Sequence, residues 1–410
     1  MYKQLLSLLL IILLFSCKSE VKKTNTSTPE IKKESIIQSL SSPVSSNSSL
    51  PRLFSNGNEI LMSWVEKKDT LTVLKYSSFS DDSWKASEEI ISGNDWFVNW
   101  ADYPAIAENN GNILTNILQK SADGTYTYDV KLNLFSKEKK EWKNNFLLNL
   151  DGKESEHGFV SMLPFQKDSF FVTWLDGRTL VDVVKDKEQM TLRGAIITKE
   201  GEITQDILLD ERTCECCNTA ATMTANGPIV VYRDRTQDEI RDIGIVRMVN
   251  GKWTKPQIAV EDNWYIPGCP VNGPAIDAID SNVVLAWFTA ANDNPKVQIA
   301  FSEDSGTTFG MPIRVDNGNA IGRVDVVMID NNSAAVLWME PKGVDTIIQL
   351  LKVNADGIQN NPITITKTRS ERSSGFPQME LLEDKIYIAW TSLEEKETTI
   401  KFVSVLKDNL

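Results

Sequence analysis

Positive charge is scarce in this chain. Its 410 residues carry 43 Lys and Arg against 56 Asp and Glu, a formal net charge of −13. Neutralising phosphate needs clustered Lys and Arg, so nucleic acid is excluded as a partner, as is binding by charge alone to an anionic membrane surface. The simplest role of the acidic balance is solubility. Long apolar runs are missing too: the N-terminal run from Leu5 to Phe15 is too short to span a bilayer. Helical 3.6-residue periodicity is absent throughout, which excludes a helical domain. Histidine occurs once, at His157, and cysteine five times, at Cys17, Cys214, Cys216, Cys217 and Cys269. What remains is 41% hydrophobic and 24% charged, the composition of a globular protein with room for one large repeat domain or two ordinary ones.

The first residues are a processing signal rather than part of the fold. Lys3 supplies the positive end, the apolar run follows, and Leu14-Phe15-Ser16-Cys17 closes it. That ending resembles the lipobox of bacterial lipoproteins. The resemblance implies cleavage after residue 16, lipidation of the Cys17 thiol and a place in the cell envelope. Lys18 rather than Asp at the next position favours the outer membrane, by the sorting rules of some Gram-negative bacteria. Residues 17–48 are rich in Ser, Lys, Thr and Glu and read as a flexible tether. Its segment from Ser35 to Leu40 contains Ile36-Ile37 and doubles as a candidate strand.

From residue 49 to 410 one pattern recurs. A short strand is followed by a polar or Gly turn, then by an apolar strand that ends in an aromatic. These ends fall at Trp64, Leu118, Trp174, Tyr232, Trp287, Trp338 and Trp390, a near-constant step, with the aromatic lost in the second copy. Trp84, Trp142, Trp253 and Phe309 mark a second turn about twenty residues later in several copies. Four short strands per repeat, repeated around an axis, make an all-β propeller of four-stranded blades. Seven copies predict seven blades, with six as the alternative because the second copy is weak. The apolar strands, such as Val283 to Trp287, are expected as inner strands next to the axis. The last copy has room for only three strands, so the Ser35-to-Leu40 segment is expected to complete it and close the ring.

Ser302-Glu303-Asp304-Ser305-Gly306-Thr307-Thr308-Phe309 resembles the Asp box of the sialidase superfamily, with Phe309 in place of the usual Trp. In such a turn the Asp304 carboxylate caps backbone N–H groups, Ser302 and Thr308 support it, and Gly306 takes a positive φ. Degenerate relatives stand at Ser80 to Trp84 and at Asn250 to Trp253. The resemblance covers residues 49–410 as architecture and does not by itself imply an activity.

The Asp box is a turn between third and fourth strands, so function is expected on the opposite face. That face gathers Arg52, Trp100, Asp102, His157, Asp176, Arg178, the three clustered cysteines, Arg233, Asp234, Arg235, Arg241, Asp242, Tyr265, Cys269, Arg323, Asp325 and Glu340. A plain salt-bridge ladder across the hairpin from Tyr232 to Asp242 accounts for part of this set. Three functional classes fit the rest. The first is an envelope-anchored binding module holding a glycan, peptide or protein at the channel mouth. It would use Arg52, Arg178, Arg233, Asp234, Arg241 and Arg323, a set that favours anionic ligands, with Trp100, Trp264 and Tyr265 as stacking platforms. The second, implied by the resemblance, is an exo-α-sialidase-type glycoside hydrolase. Its arginine clasp would come from Arg52, Arg178, Arg233 and Arg323, with Asp102 as acid and Tyr265 as nucleophile. The family's early Arg-Ile-Pro motif is absent here. The third is a copper or zinc site built from Cys214, Cys216, Cys217, Cys269 and His157. In an oxidising compartment those four cysteines are first expected as disulfides, with one bond from Cys269 to the Cys214-to-Cys217 group, His157 close by and no cofactor.

Overall fold

The structure is a computed structural model that describes residues 36–410 apart from 185–186, 358–359 and 395–396. The signal segment, Cys17 and most of the tether lie outside the described residues. Ile36–Leu410 forms one compact unit.

The chain makes seven antiparallel sheets in sequence order, the blades of a propeller. Blade 1 holds Ser48–Ser55, Ile60–Lys68 and Leu71–Ser80; Ser83–Trp84 and Glu88–Gly93 share its outer edge. Blade 2 is Ile106–Asn109, Asn112–Lys120, Tyr128–Ser136 and Glu141–Leu147. Blade 3 is His157–Phe165, Ser169–Asp176, Met190–Ile197 and Ile203–Thr213. Blade 4 holds Ala220–Thr224, Gly227–Arg233 and Ile243–Val249, with Lys252–Trp253 and Gln257–Val260 outside. Blade 5 is Ala275–Ile279, Asn282–Thr289, Lys296–Ser302 and Ile313–Arg314. Blade 6 is Gly322–Asp330, Ser333–Lys342, Asp345–Asn354 and Ile363–Thr368. Blade 7 takes Gln378–Leu382, Lys385–Glu394 and Glu397–Leu406 from the C-terminal end of the chain. Its outer strand is Ile37–Leu40, in register Ile37 to Val405 and Leu40 to Phe402. That strand covers the edge of Glu397–Leu406 and joins the two ends of the folded unit.

The first strand of each blade, not the aromatic-ended second strand, surrounds the axis; the first strands contact one another in order and blade 7 returns to blade 1. This corrects the expected placement. A strand on the lumen meets water on one side and so keeps polar residues. The second strand is buried between neighbouring sheets and so reads as apolar throughout. Its terminal aromatic fills the gap to the preceding blade. Trp64 packs with Tyr387 and Phe402 of blade 7, Trp174 with Leu114 of blade 2, and Tyr232 with Leu192 of blade 3. Trp287, Trp338 and Trp390 repeat the arrangement on blades 4, 5 and 6. Blade 2 lacks the aromatic, and its junction with blade 1 is filled by Ile113 and Ile117 on Leu61 and Val65.

The Asp box forms as its residue types dictate. Asp304 accepts from the Thr308 N–H at 2.9 Å and from its hydroxyl at 2.7 Å, while Ser302 Oγ accepts from the Gly306 N–H. Gly306 has φ +71°, and a Cβ there would press on Ile229 of blade 4 at 3.0 Å. Phe309 packs on the junction of blades 4 and 5.

Candidate functional site

The connections that enter the first strands meet at the channel mouth, opposite the Asp box. Three of these strands begin with a bulge whose central residue has positive φ: Leu50 at 58°, Phe159 at 54° and Arg323 at 53°. Such backbone is costly for a residue with a side chain, and its N–H no longer belongs to the ladder. In each case a side chain from elsewhere accepts that N–H. Thr391 takes Leu50 at 3.1 Å, Asp102 takes Phe159 at 2.7 Å, and Asn272 takes Arg323 at 2.7 Å. Asp102 therefore does for blade 3 what a threonine and an asparagine do elsewhere. The expected acid is a buried backbone cap. Burial pushes its carboxyl well above the ordinary carboxylate range, and Oδ2 has no hydrogen-bond partner among the described residues.

A second set of carboxylates ties successive first strands together. Asp277 of blade 5 accepts the N–H of Met328 in blade 6 at 2.7 Å, and Asp325 of blade 6 accepts that of Met379 in blade 7 at 2.7 Å. Glu380 of blade 7 takes the Ser55 N–H of blade 1. Burial raises Asp277 and Asp325 to about 6 and Glu380 well above its usual value. Apart from Asp325, these groups were not singled out from the sequence. The signal was an acidic residue at matching places in three successive first strands, Ile276-Asp277, Val324-Asp325 and Met379-Glu380.

Blade 1, the connection into blade 2 and blades 3 to 7 contribute to one cavity at this mouth, of about 580 Å³ including the space open to solvent. Its polar lining includes Arg52, Asp102, Tyr103, Ser161, Asn218, Thr219, Asp325 and Gln378. Arg52 donates to Gln378 Oε1 at 2.5 Å, and its charge acts on Tyr103, Asp325 and Glu380. Of the expected ligand-binding arginines, Arg52 alone lines the cavity.

The other arginines are held one by one. Arg233 donates to the carbonyl oxygens of Asn272, Arg241 and Phe288, with its guanidinium 4.9 Å from the Trp264 ring. Arg323 donates to Ser374 Oγ and to the carbonyls of Ser370, Glu371 and Gly375, beneath Trp100. Arg178 is bidentate on Asp176 at 2.7 and 2.8 Å. Arg241 joins Glu239 and Cys214. Asp234 is raised to about 6, chiefly by burial, and its N–H bonds the Asp242 carbonyl. With Arg235 and Arg241 both on Glu239, the hairpin is the expected salt-bridge ladder. Asp176 and Glu340 accept the indole N–H of Trp174 and Trp338 two residues earlier, and Asp242 caps Asn263 and Trp264. These arginines form no clasp on a common point among the described residues.

Tyr265 is 63% exposed, does not line the cavity, and has no glutamate partner among the described hydrogen bonds. A Tyr–Glu pair does exist: the Tyr128 hydroxyl donates to Glu156 Oε1 at 2.8 Å. Tyr128 is only 1% exposed and lies under Phe97, stacked at 4.3 Å, so no substrate reaches it. Trp264 is buried under Arg233 and Trp100 covers Arg323, so neither is free to stack on a ligand.

His157 belongs to a carboxylate cluster rather than to the cysteines. Its Nε2 lies 3.0 Å from Asp151 Oδ2 and its Nδ1 3.3 Å from the Tyr128 carbonyl oxygen. Burial opposes the imidazolium, but Asp151 and Asp176 outweigh it and raise the His157 pKa. The expected disulfide is absent too: Cys214, Cys216, Cys217 and Cys269 are all free thiols. The Cys214 sulfur lies 3.6 Å from those of both Cys216 and Cys217, far beyond a bonded pair at about 2.05 Å.

No family model matches the chain, and no curated protein sequence matches it. Solved structures do resemble it. A protein of unknown function from Dyadobacter fermentans aligns over 90% of this chain and 97% of its own, at TM-score 0.51 and 11% identity. The NanB sialidase from Streptococcus pneumoniae aligns over 92% and 71%, at 0.44 and 13%. The α-L-arabinofuranosidase Arb93A from Fusarium graminearum aligns over 89% and 94%, at 0.48 and 12%. The likeness is one of fold, and the fold of this chain is an all-β propeller with seven blades. No activity comes with it.

Proposed function

We propose that the protein is a lipid-anchored binding propeller of the cell envelope, most consistent with the outer membrane. Its ligand is a small, hydroxyl-rich molecule, which it holds at the mouth of the cavity without cleaving it. The observation that carries this reading is the convergence of segments from around the whole ring on one polar cavity with a single guanidinium. Arg52 stands among carboxyl, amide and hydroxyl groups, so the lining offers both donors and acceptors. Sugar hydroxyls need that mixture, whereas a free anion would meet one arginine among several acids. The two carboxyls that line the cavity, Asp102 and Asp325, each accept a backbone N–H, so this reading gives them a structural role and hydrolysis is not part of the proposal.

Calorimetry of the mature protein against mono- and disaccharides should find a binder, and Arg52→Ala should weaken it at least about tenfold. Fluorogenic sialosides and arabinofuranosides should give no turnover. Turnover, or a ligand that binds equally well to Arg52→Ala, rejects this function.

The anchor has its own test. A palmitate analogue fed to expressing cells should label the wild-type chain and not Cys17→Ala, which should leave the membrane fraction. Label on the variant, or none on the wild type, counts against lipidation at Cys17.

A further inference from the structure

Three thiols sit on one four-residue turn. Cys214, Cys216 and Cys217 lie between the last strand of blade 3 and the first of blade 4, and the Cys214 N–H is fixed on the Arg233 carbonyl at 3.0 Å. Their sulfurs all lie within 4.8 Å of one another. The connection into blade 5 brings a fourth thiol, Cys269, beside Cys216, although its sulfur is not within 4.8 Å of all three others. Cys214 and Cys217 are buried and Cys216 is half-buried, while Cys269 stands at the exposed rim. Arg241, 2% exposed, places Nη1 3.1 Å from the Cys214 sulfur.

We infer that Cys214, Cys216, Cys217 and Cys269 form a tetrathiolate site for one thiophilic d10 metal ion. Four sulfurs at about 2.3 Å from a tetrahedral centre are separated by about 3.8 Å. The two 3.6 Å separations here are close to the edges of that tetrahedron. A purely apolar role for these thiols does not fit Arg241. Its Nη2 is paired with Glu239, while its Nη1 is aimed at the Cys214 sulfur, a charged donor that favours a thiolate over a neutral thiol there. On binding, each thiol gives its proton to solvent, and Arg241 offsets part of the charge that remains. His157 is not a ligand, because Asp151 and the Tyr128 carbonyl hold its nitrogens. Its own cluster with Asp151 and Asp176 takes no metal in this reading, since Arg178 already supplies the cation there. The ion would tie the loop into blade 4 to the loop into blade 5, the link first expected of a disulfide. It would also anchor Asn218 and Thr219, which follow Cys217 directly and line the cavity.

The test uses the mature protein, purified under argon and titrated separately with Zn2+ and with Cu+ against chromophoric chelators. One equivalent of at least one ion should bind, and all four thiols should then resist alkylation. Cys214→Ser combined with Cys216→Ser should abolish binding. Because a buried serine can disturb folding, the rim variant Cys269→Ser serves as the second probe. It should keep the wild-type circular dichroism and bind Zn2+ at least about tenfold more weakly. Comparing Zn2+ with Cu+ decides which ion the site prefers. Mass mapping that finds a disulfide among the four would overturn the inference. So would a folded protein with four reactive thiols and no bound ion, or binding unchanged in both variants.

Discussion

Replacing Arg233 with alanine is expected to cost about 3–5 kcal/mol of folding stability, from several charge-assisted hydrogen bonds lost together with the volume of a buried side chain. Arg233 closes the second strand of blade 4 and is 1% exposed. Its fork reaches Asn272 O at 2.9 and 2.8 Å, Arg241 O at 2.7 Å and Phe288 O at 2.8 Å. These carbonyls belong to the connection between blades 4 and 5, to the blade 4 hairpin and to the second strand of blade 5. Alanine would leave them without this donor and open a void beside Trp264. Lysine would recover only part of the loss. It keeps the charge, but it cannot present a planar fork to three acceptors or lie flat on an indole. Urea denaturation followed by tryptophan fluorescence should show a clear fall in midpoint for Arg233→Ala, with Arg233→Lys between it and the wild type. Lys85→Ala provides the contrast: its ion pair with Glu59 is largely exposed, and its loss should change stability by no more than about 0.5 kcal/mol. Equal effects for Arg233→Ala and Lys85→Ala would refute the assigned role.

The same arginine shows where reading the chain stops. The blades were legible because a propeller repeats its physics locally. An apolar strand needs both faces covered and ends in an aromatic that fills the gap to the preceding sheet, so Trp174, Trp287 and Trp338 recur at a regular step. The Asp box was legible for a similar reason, because Ser302, Asp304, Gly306 and Thr308 satisfy one another within seven residues. The roles of the polar residues at the channel mouth depend on partners far away in the chain. Arg233 meets carbonyls 39 and 55 residues on, and Asp102 caps a bulge 57 residues on. A polar residue before a first strand looks the same whether it binds a ligand or a backbone N–H. The bulge with positive φ at Phe159 decides between these, and the residue type does not announce it. For the cysteines, compartment chemistry favoured bonds. The turn carrying Cys214, Cys216 and Cys217 instead sets their sulfurs at separations suited to a shared ion.

Stability should fall as pH rises from about 5 to 8, the reverse of the usual acid sensitivity of folded proteins. The groups responsible surround the channel. Burial lifts Asp277, Asp325 and Asp234 to about 6 and Glu156 to about 7, and it moves Asp102 and Glu380 further up. A carboxyl with a raised folded pKa binds its proton more tightly in the folded state. Its favourable contribution is complete below the unfolded pKa, near 4, and is lost as pH climbs through the folded value. His157 acts in the same direction. Its pKa is raised as well, so what it adds is complete below about 6.5 and disappears as pH rises through its folded value. Among the carboxyls the opposing groups are Asp151, Asp182, Asp304, Asp330, Glu66 and Glu239, all lowered, and they withdraw support only as pH falls below about 4. The optimum should therefore lie near pH 5. Each channel aspartate should contribute on the order of 1–2 kcal/mol to the slope, after discounting for water in the lumen. Thermal melts between pH 4 and 8 at constant ionic strength measure this directly. Asp277→Asn combined with Asp325→Asn should flatten the curve, because an amide still accepts the neighbouring blade's N–H but does not titrate. A melting temperature that holds or rises from pH 5 to 8 in the wild type would show that these carboxyls ionise freely in the channel.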